Sequence, residues 1–81
     1  MKLWIGNLAP ETSDAEIRAF VKKYAADLEC TGIQRVDGDG SRPAAMLEFA
    51  DAPIGALEKV SMRLNRMYWK KRELLVQTII R

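Results

Sequence analysis

The start of the chain carries a short strand-like pattern. Residues 2–8 (KLWIGNL) are rich in β-branched and aromatic types, which favour a β-strand. Because successive side chains of a strand point to opposite faces, Leu3 and Ile5 fall on one face and Trp4 and Gly6 on the other. Pro10 follows within the loop of residues 9–12 and ends the strand.

The next segment has the pattern of an amphipathic helix. Ser13 and Glu16 have the spacing of a capping box, in which each side chain bonds the backbone amide of the other residue. The apolar positions that follow recur with helical spacing and predict a helix over residues 14–27: Ile17, Phe20, Val21, Tyr24 and Leu28. The basic residues of this segment fall on its other faces, where we expect solvent: Arg18, Lys22 and Lys23.

Residues 30–49 predict two strands joined by a tight turn. Cys30 to Val36 forms the second strand, in which Gly32 indicates a bulge. The Asp-Gly pairs of residues 37–40 are typical of a hairpin turn, and the further ligands of a calcium loop do not follow them. The register of the second strand stays open: either Cys30 and Ile33 or Ile33 and Val36 can face the core, and the two registers orient Gln34 and Arg35 differently.

The third strand is predicted over residues 42–49, with alternate side chains facing the core: Ala45, Leu47 and Phe49. Its other face carries Ala44, Met46 and Glu48.

A second helix follows this strand, with Asp51 as its expected N-cap and an apolar face made by Leu57, Val60 and Leu64. After a polar connector, residues 73–79 predict the last strand, with Leu74 and Val76 facing the core and Leu75 facing outward. The order βαββαβ predicts an α+β, ferredoxin-like sandwich, in which two helices pack on one face of a four-stranded antiparallel sheet.

Composition narrows the possible functions. The chain has 81 residues, which predicts a single domain spanning 1–81. It contains no histidine, so the commonest general base and metal ligand is missing, and Cys30 is its only cysteine. We therefore expect no cofactor, no metal and no enzyme activity. No apolar run approaches the roughly 20 residues of a membrane span, and no secretory signal is evident, so we expect an intracellular protein, cytoplasmic or, in a eukaryote, nuclear.

Three segments resemble the RNA-recognition motif (RRM) family. Residues 3–8 (LWIGNL) match the family's hexamer at every position, and residues 42–49 (RPAAMLEF) lie where its octamer belongs. Residues 64–76 (LNRMYWKKRELLV) are similar to the closing pattern of the family, with Arg66 and Lys71 in place of two glycines. The resemblance covers essentially the whole chain and implies the ferredoxin-like fold, with single-stranded RNA bound on the exposed face of the sheet.

The octamer segment differs from the family pattern at the positions that bind RNA in the family. Pro43 replaces a glycine, and Ala44 and Met46 replace the two outward aromatic residues on which bases stack. Each base stacked on an aromatic ring contributes ~1–3 kcal/mol, so the resemblance implies weak RNA binding. The candidate RNA-binding residues are Trp4 as a stacking ring, Met46 beside it, Arg42 and Lys2 for phosphate, and Gln77 for a base edge.

Each candidate also has a structural alternative. Trp4 can equally be a large apolar residue covered by the C-terminal segment or by a partner. With Met46 and the outward Leu75, it would make an apolar patch typical of a protein interface. A module for protein interaction or self-association is therefore the alternative hypothesis. Arg42 and the cluster of residues 70–72 can be ordinary solvated surface. Trp69 is expected in the core, and Asn7 is expected to tie the end of the first strand to a neighbouring loop.

Overall fold

The computed structural model describes residues 1–53 and 55–79 and has the predicted βαββαβ order with one added hairpin. Strands β1 (Lys2–Gly6), β2 (Cys30–Val36), β3 (Ala44–Phe49) and β6 (Leu75–Ile79) form an antiparallel sheet in the order β2-β3-β1-β6. Helices α1 (Asp14–Tyr24) and α2 (Ala56–Leu64) pack on one face of this sheet. The short strands β4 (Tyr68–Trp69) and β5 (Arg72–Glu73) form the added hairpin.

The core lies between the helices and one face of the sheet. Its sheet side comes from alternate positions of the strands, including Leu3, Ile5, Ala45, Leu47, Phe49 and Val76. Its helix side comes from the predicted apolar faces, including Ile17, Phe20, Val21, Leu57, Val60 and Leu64. Period-2 and period-3.6 patterns therefore locate this core correctly, because each element buries only one of its faces.

Helix α1 begins as predicted and ends earlier. The capping box is present, with the Glu16 amide donating to Ser13 Oγ at 3.2 Å and the Ser13 amide donating to Glu16 Oε1 at 2.9 Å. The helix ends at Tyr24 rather than at residue 27, and Leu28 packs against the core from the turn that follows. The periodicity predicted that Leu28 packs against the core, where it is partly buried, but not the break in the helix.

The predicted bounds of three other elements are wrong. Strand β3 begins at Ala44, so Arg42 lies in the preceding loop. Helix α2 begins after Gly55 rather than after Asp51, and Gly55 has a φ of 85°, which glycine adopts without the steric penalty of a Cβ. The last strand of the sheet begins at Leu75, because Glu73 pairs with Tyr68 in the hairpin.

The hairpin occupies the predicted polar connector. Its turn consists of Lys70 and Lys71, with φ values of 53° and 66°, as the two central residues of a type I′ turn require. Arg66 also has a positive φ, 67°. Both residues that replace family glycines, Arg66 and Lys71, therefore hold the backbone conformation that glycine favours.

A bulge settles the register of β2. The pairing of β2 with β3 shifts between Cys30 and Gly32, so that Cys30 opposes Phe49 and Ile33 opposes Leu47 on the core side. Val36 opposes Ala44 instead and is exposed. The glycine predicted as a bulge is thus the reason that Cys30 and Ile33, three residues apart, both face the core.

Candidate functional site

The outer face of the sheet, opposite the helices, presents side chains in rows that cross the four strands. The middle row consists of Gln34, Met46, Trp4 and Gln77, each directly opposite the next across a pair of strands. On one side of it lies the row of Gly32, Glu48, Lys2 and Ile79, and on the other side Val36 with Ala44, and Gly6 with Leu75.

Trp4 occupies the centre of this face. Its side chain is half-buried and extends along β1 over Gly6, since a Cβ built on residue 6 would lie 3.1 Å from Trp4 Nε1. The same Cβ would lie 3.8 Å from Leu75 Cβ on the neighbouring edge strand. Glycine at position 6 thus leaves room for the ring to lie against the sheet.

Two depressions lie on this face, and Trp4 lines one of them. The larger, of about 450 Å³, is lined by Trp4, Leu75 and Gln77 together with Asn65 and Val76. The smaller, of about 160 Å³, includes Gln34, Met46, Lys2 and Glu48 in its lining. Gln77 therefore lies beside Trp4, whereas Gln34 is separated from it by Met46, and both amides can donate and accept hydrogen bonds on this face.

The basic candidates are placed less favourably. Lys2 Nζ lies 3.9 Å from Glu48 Oε1, so a carboxylate on the same face partly neutralises its charge. Arg42 is exposed in the loop before β3. Nearby in that loop, hydrogen bonds from the Ser41 hydroxyl and amide lower the pKa of the Asp39 carboxyl, with a smaller effect from the charge of Arg42. Arg42 thus lies near a carboxylate, but within residues 1–53 and 55–79 it has no Asp or Glu partner at ion-pair distance.

The hairpin uses two of its three basic residues for its own attachment. Lys70 Nζ donates to Glu16 Oε2 at 2.6 Å, and this bond is the largest reason that the pKa of Glu16 is lowered. Arg72 donates to Ser41 O at 3.0 Å and to Asn7 Oδ1 at 3.3 Å. Asn7 in turn donates to Glu73 O at 2.9 Å, so the prediction that it ties β1 to a loop is confirmed.

Trp69 and Tyr68 lie outside the outer face of the sheet. Trp69 packs against the core and stacks on Phe20 with ring centroids 4.3 Å apart and an interplanar angle of 18°. Tyr68 is 75% exposed on the hairpin, as expected of a connector residue. Trp4 is therefore the aromatic residue that the outer face presents.

The sequence-based view of an apolar face needs two corrections. Ala44 is buried, with 5% exposure, and adds little to the accessible surface, although Leu75 is 56% exposed as predicted. Gln34 lies on the face because of the β2 bulge, and the sequence alone left its orientation open. The amides of Gln34 and Gln77 therefore add hydrogen-bonding groups to this face.

Residues 1–53 and 55–79 form neither a candidate metal site nor a helix that could span a membrane. In this part of the chain no three His, Cys, Asp or Glu side chains gather as a metal site would require. None of the helices described there has the length and apolar character needed to cross a membrane.

Comparison with known proteins identifies the fold. No protein-family model matches the chain, and no curated protein matches it. Solved structures do match. RRM3 of Pes4 superposes with a TM-score of 0.80 at 20% identity, covering 99% of this chain and 92% of that one. The RRM3 domain of Mip6 gives 0.78 at 13% identity, covering 94% and 88%.

A third structure, of the N-terminal three RNA-binding domains of the yeast splicing factor Prp24, gives a TM-score of 0.78 at 16% identity and covers 99% of this chain and 33% of that one. The three likenesses establish the ferredoxin-like fold in the form that RRM domains have. At identities of 20% and below, they establish the fold alone.

Proposed function

We propose that this domain binds single-stranded RNA weakly on the outer face of its sheet, with one base stacked on Trp4. The observation that carries the proposal is the middle row of this face, in which Trp4 and Met46 lie between Gln34 and Gln77. Every base has a π-face for the indole and polar edges for the two amides. Trp4 would supply most of the affinity and the glutamines a preference among bases.

The charges of the face favour modest affinity. Lys2 must leave Glu48, 3.9 Å away, before it can contact a phosphate, whereas exposed Arg42 can form a forked contact from the rim. Met46 offers a polarizable surface but no ring beside the indole. One stacking ring in place of three removes about 2–6 kcal/mol, at ~1–3 kcal/mol for each base. This loss corresponds to about 30-fold or more in affinity.

The solved structures support RNA as the class of ligand. The matching chain of Prp24 is described as RNA-binding domains, and another match, with a TM-score of 0.76, is described as the RNA-binding protein PG1. Binding rather than catalysis is also the function that a face of one indole, one thioether and two amides can perform, since it has no histidine and no paired carboxylates.

The test is the fluorescence of Trp4 on addition of short single-stranded RNA of mixed sequence at low salt. The variant Trp69→Phe serves as the background, because Phe can keep the stack on Phe20 and leaves Trp4 as the only tryptophan. We expect saturable quenching as RNA is added. In the unmodified protein, Trp4→Ala should abolish most binding by anisotropy.

Tyr68→Ala is the matched control, since it removes an aromatic residue that is 75% exposed on the hairpin. Unchanged affinity in that variant, with the loss confined to Trp4→Ala, supports stacking on the sheet. Equal affinities for both variants and the parent would refute the proposal.

Leu75 supports a second candidate function. It is 56% exposed beside Trp4, and with half-buried Met46 it forms an apolar strip that a second copy or a protein partner can cover. Light scattering over a range of concentrations tests self-association. A dimer that Leu75→Ser dissociates would favour it, and a monomer at all concentrations that also binds RNA would exclude it.

A further inference from the structure

The helical layer, on the opposite side of the domain from Trp4, carries a concentration of basic side chains. We call it the helical basic patch, and its members are all exposed: Arg18, Lys22, Lys23, Lys59 and Arg63. Two of them meet at the half-buried ring of Tyr24, with Lys23 Nζ 6.0 Å and Arg63 Cζ 5.6 Å from the ring centroid. Both helices therefore contribute cations to one region.

Two adjoining grooves connect the other members of the patch. One, of about 460 Å³, is lined by Arg18 and Lys22 of α1, and its neighbour, of about 470 Å³, by Lys59 and Arg63. Both are also lined by residues 25–28, the turn that follows α1. The two grooves thus lie on either side of this turn, and each has two basic residues in its lining.

The distribution of charge over the chain is uneven. The acidic residues that line these grooves are Asp27 and Glu29, which gives the patch five basic and two acidic side chains, a net charge of +3. Of the chain's 13 basic and 11 acidic residues, eight and nine then remain elsewhere, a net charge of −1. The two helices themselves carry these five basic residues and three acidic ones, Asp14, Glu16 and Glu58, a net charge of +2 that equals the net charge of the whole chain.

Ion pairing sharpens this contrast. Within residues 1–53 and 55–79, Asp or Glu partners are found for Lys2, Arg35, Arg66 and Lys70. In the same ranges none of the five patch residues has such a partner, and neither do Arg42, Lys71 and Arg72. The patch cations are therefore available to an external anion without first breaking a pair.

We propose that the helical basic patch is a second binding surface, which takes the sugar-phosphate backbone of nucleic acid. The class of ligand rests on the proposed function, but the surface and its contacts are separate from Trp4. A phosphate backbone needs charge and Arg forks rather than apolar anchors. Met62, a large hydrophobic residue exposed on α2, lines neither groove. The larger apolar residues in the groove linings, such as Val21, Leu28 and Val60, are buried or half-buried, so the exposed cations are the side chains that a ligand meets first.

Double-stranded RNA separates the two surfaces, because its phosphates are accessible while its bases stay stacked and unable to reach Trp4. The protein is titrated into a labelled RNA duplex at several salt concentrations. The test variant is Lys22→Gln/Arg63→Gln. The control Arg66→Gln/Lys71→Gln removes the same net charge from the exposed hairpin region.

We expect the unmodified protein to bind the duplex with a salt-dependent affinity and Trp4→Ala to bind it equally. In Lys22→Gln/Arg63→Gln, the slope of log K against log salt should fall by about two, one for each lost phosphate contact. The control should keep its slope. Circular dichroism and thermal melting establish that each variant is folded.

The outcomes distinguish this proposal from the sheet site. If Trp4→Ala does not weaken single-stranded binding but the patch variant loses duplex binding, the sheet proposal fails and this one stands. Absence of duplex binding, or equal losses in both double variants, would overturn the patch. Binding of polyglutamate as tightly as the duplex would assign the patch to an acidic polypeptide and would also overturn it.

Discussion

Substitution of Met46 by phenylalanine should strengthen RNA binding. Met46 lies directly opposite Trp4 across the central strand pair and is half-buried. Directly opposite residues of an antiparallel pair have Cβ atoms about 4.5–5.5 Å apart, so a ring at position 46 would stand beside the indole and offer a second stacking surface. In the resemblance to the RRM octamer, residue 46 stands at one of the two outward positions where that pattern has an aromatic residue.

The gain can be estimated from the value of one stacked base. At ~1–3 kcal/mol for each base on an aromatic ring, the Kd should fall by about 5- to 140-fold. Met46→Leu is the matched control, because it keeps an apolar side chain of similar volume without adding a ring. Its affinity should stay close to that of the unmodified protein.

Fluorescence anisotropy of a labelled single-stranded RNA at low salt measures all three proteins under the same conditions. Thermal melting checks that each variant is folded. Equal Kd values for Met46→Phe and Met46→Leu, with both proteins folded, would refute the reasoning that RNA stacks along the middle row.

Three further predictions concern the surroundings of the site. The Tm of Lys71→Gly should be higher than that of Lys71→Ala by about 4–8 °C, which corresponds to ~1 kcal/mol, because alanine keeps the steric penalty of the positive φ at residue 71 and glycine does not. An equal or lower Tm for the glycine variant would contradict this. Gly6→Ala should displace the Trp4 indole, whose Nε1 would be 3.1 Å from the new Cβ, and should shift its N–H resonance and alter RNA affinity; an unmoved resonance would show that the ring lies elsewhere. The hydrogen bond from Lys70 lowers the pKa of Glu16, so the ionised carboxylate stabilises the fold above the ordinary glutamate pKa, and this stabilisation is lost as the pH falls through the lowered pKa. The Tm of Glu16→Gln should therefore depend less on pH in that acid range than the Tm of the unmodified protein, and parallel pH profiles would contradict this.

Local patterns predict most of this fold because they depend on residues that are neighbours in the chain. The capping box of Ser13 and Glu16 forms as its spacing requires. The same holds for the alternation that buries Leu3 and Ile5 and leaves Trp4 on the outer face. Such signals need no knowledge of the rest of the molecule.

The features that the sequence did not predict depend on pairing between distant segments. The position of Gln34 depends on how β2 meets β3, and a bulge of one residue reverses every later side chain. The hairpin of residues 68–73 was not predicted because its turn is Lys-Lys rather than the usual Asn-Gly. Both features change the candidate site, since the bulge places Gln34 on the outer face and the hairpin brings Arg72 to donate a hydrogen bond to Asn7.

The helical basic patch also depends on tertiary structure. In the sequence, Lys23 and Arg63 are ordinary charges on the outer faces of two helices. The fold brings α1 and α2 together around Tyr24, and only then do their cations share one surface. Charge spacing within either helix does not contain this information.

The central claim, that RNA binds the sheet through Trp4, is tested most directly by an NMR titration of the ¹⁵N-labelled protein. Short single-stranded RNA of mixed sequence is added at low salt, and amide shifts are followed for the whole chain together with the indole N–H signals. The account predicts that the largest shifts occur at Trp4, including its Nε1–H, and at Gln34, Met46 and Gln77. Sheet signals that stay unmoved while RNA is added in excess, or shifts confined to the helices, would contradict it.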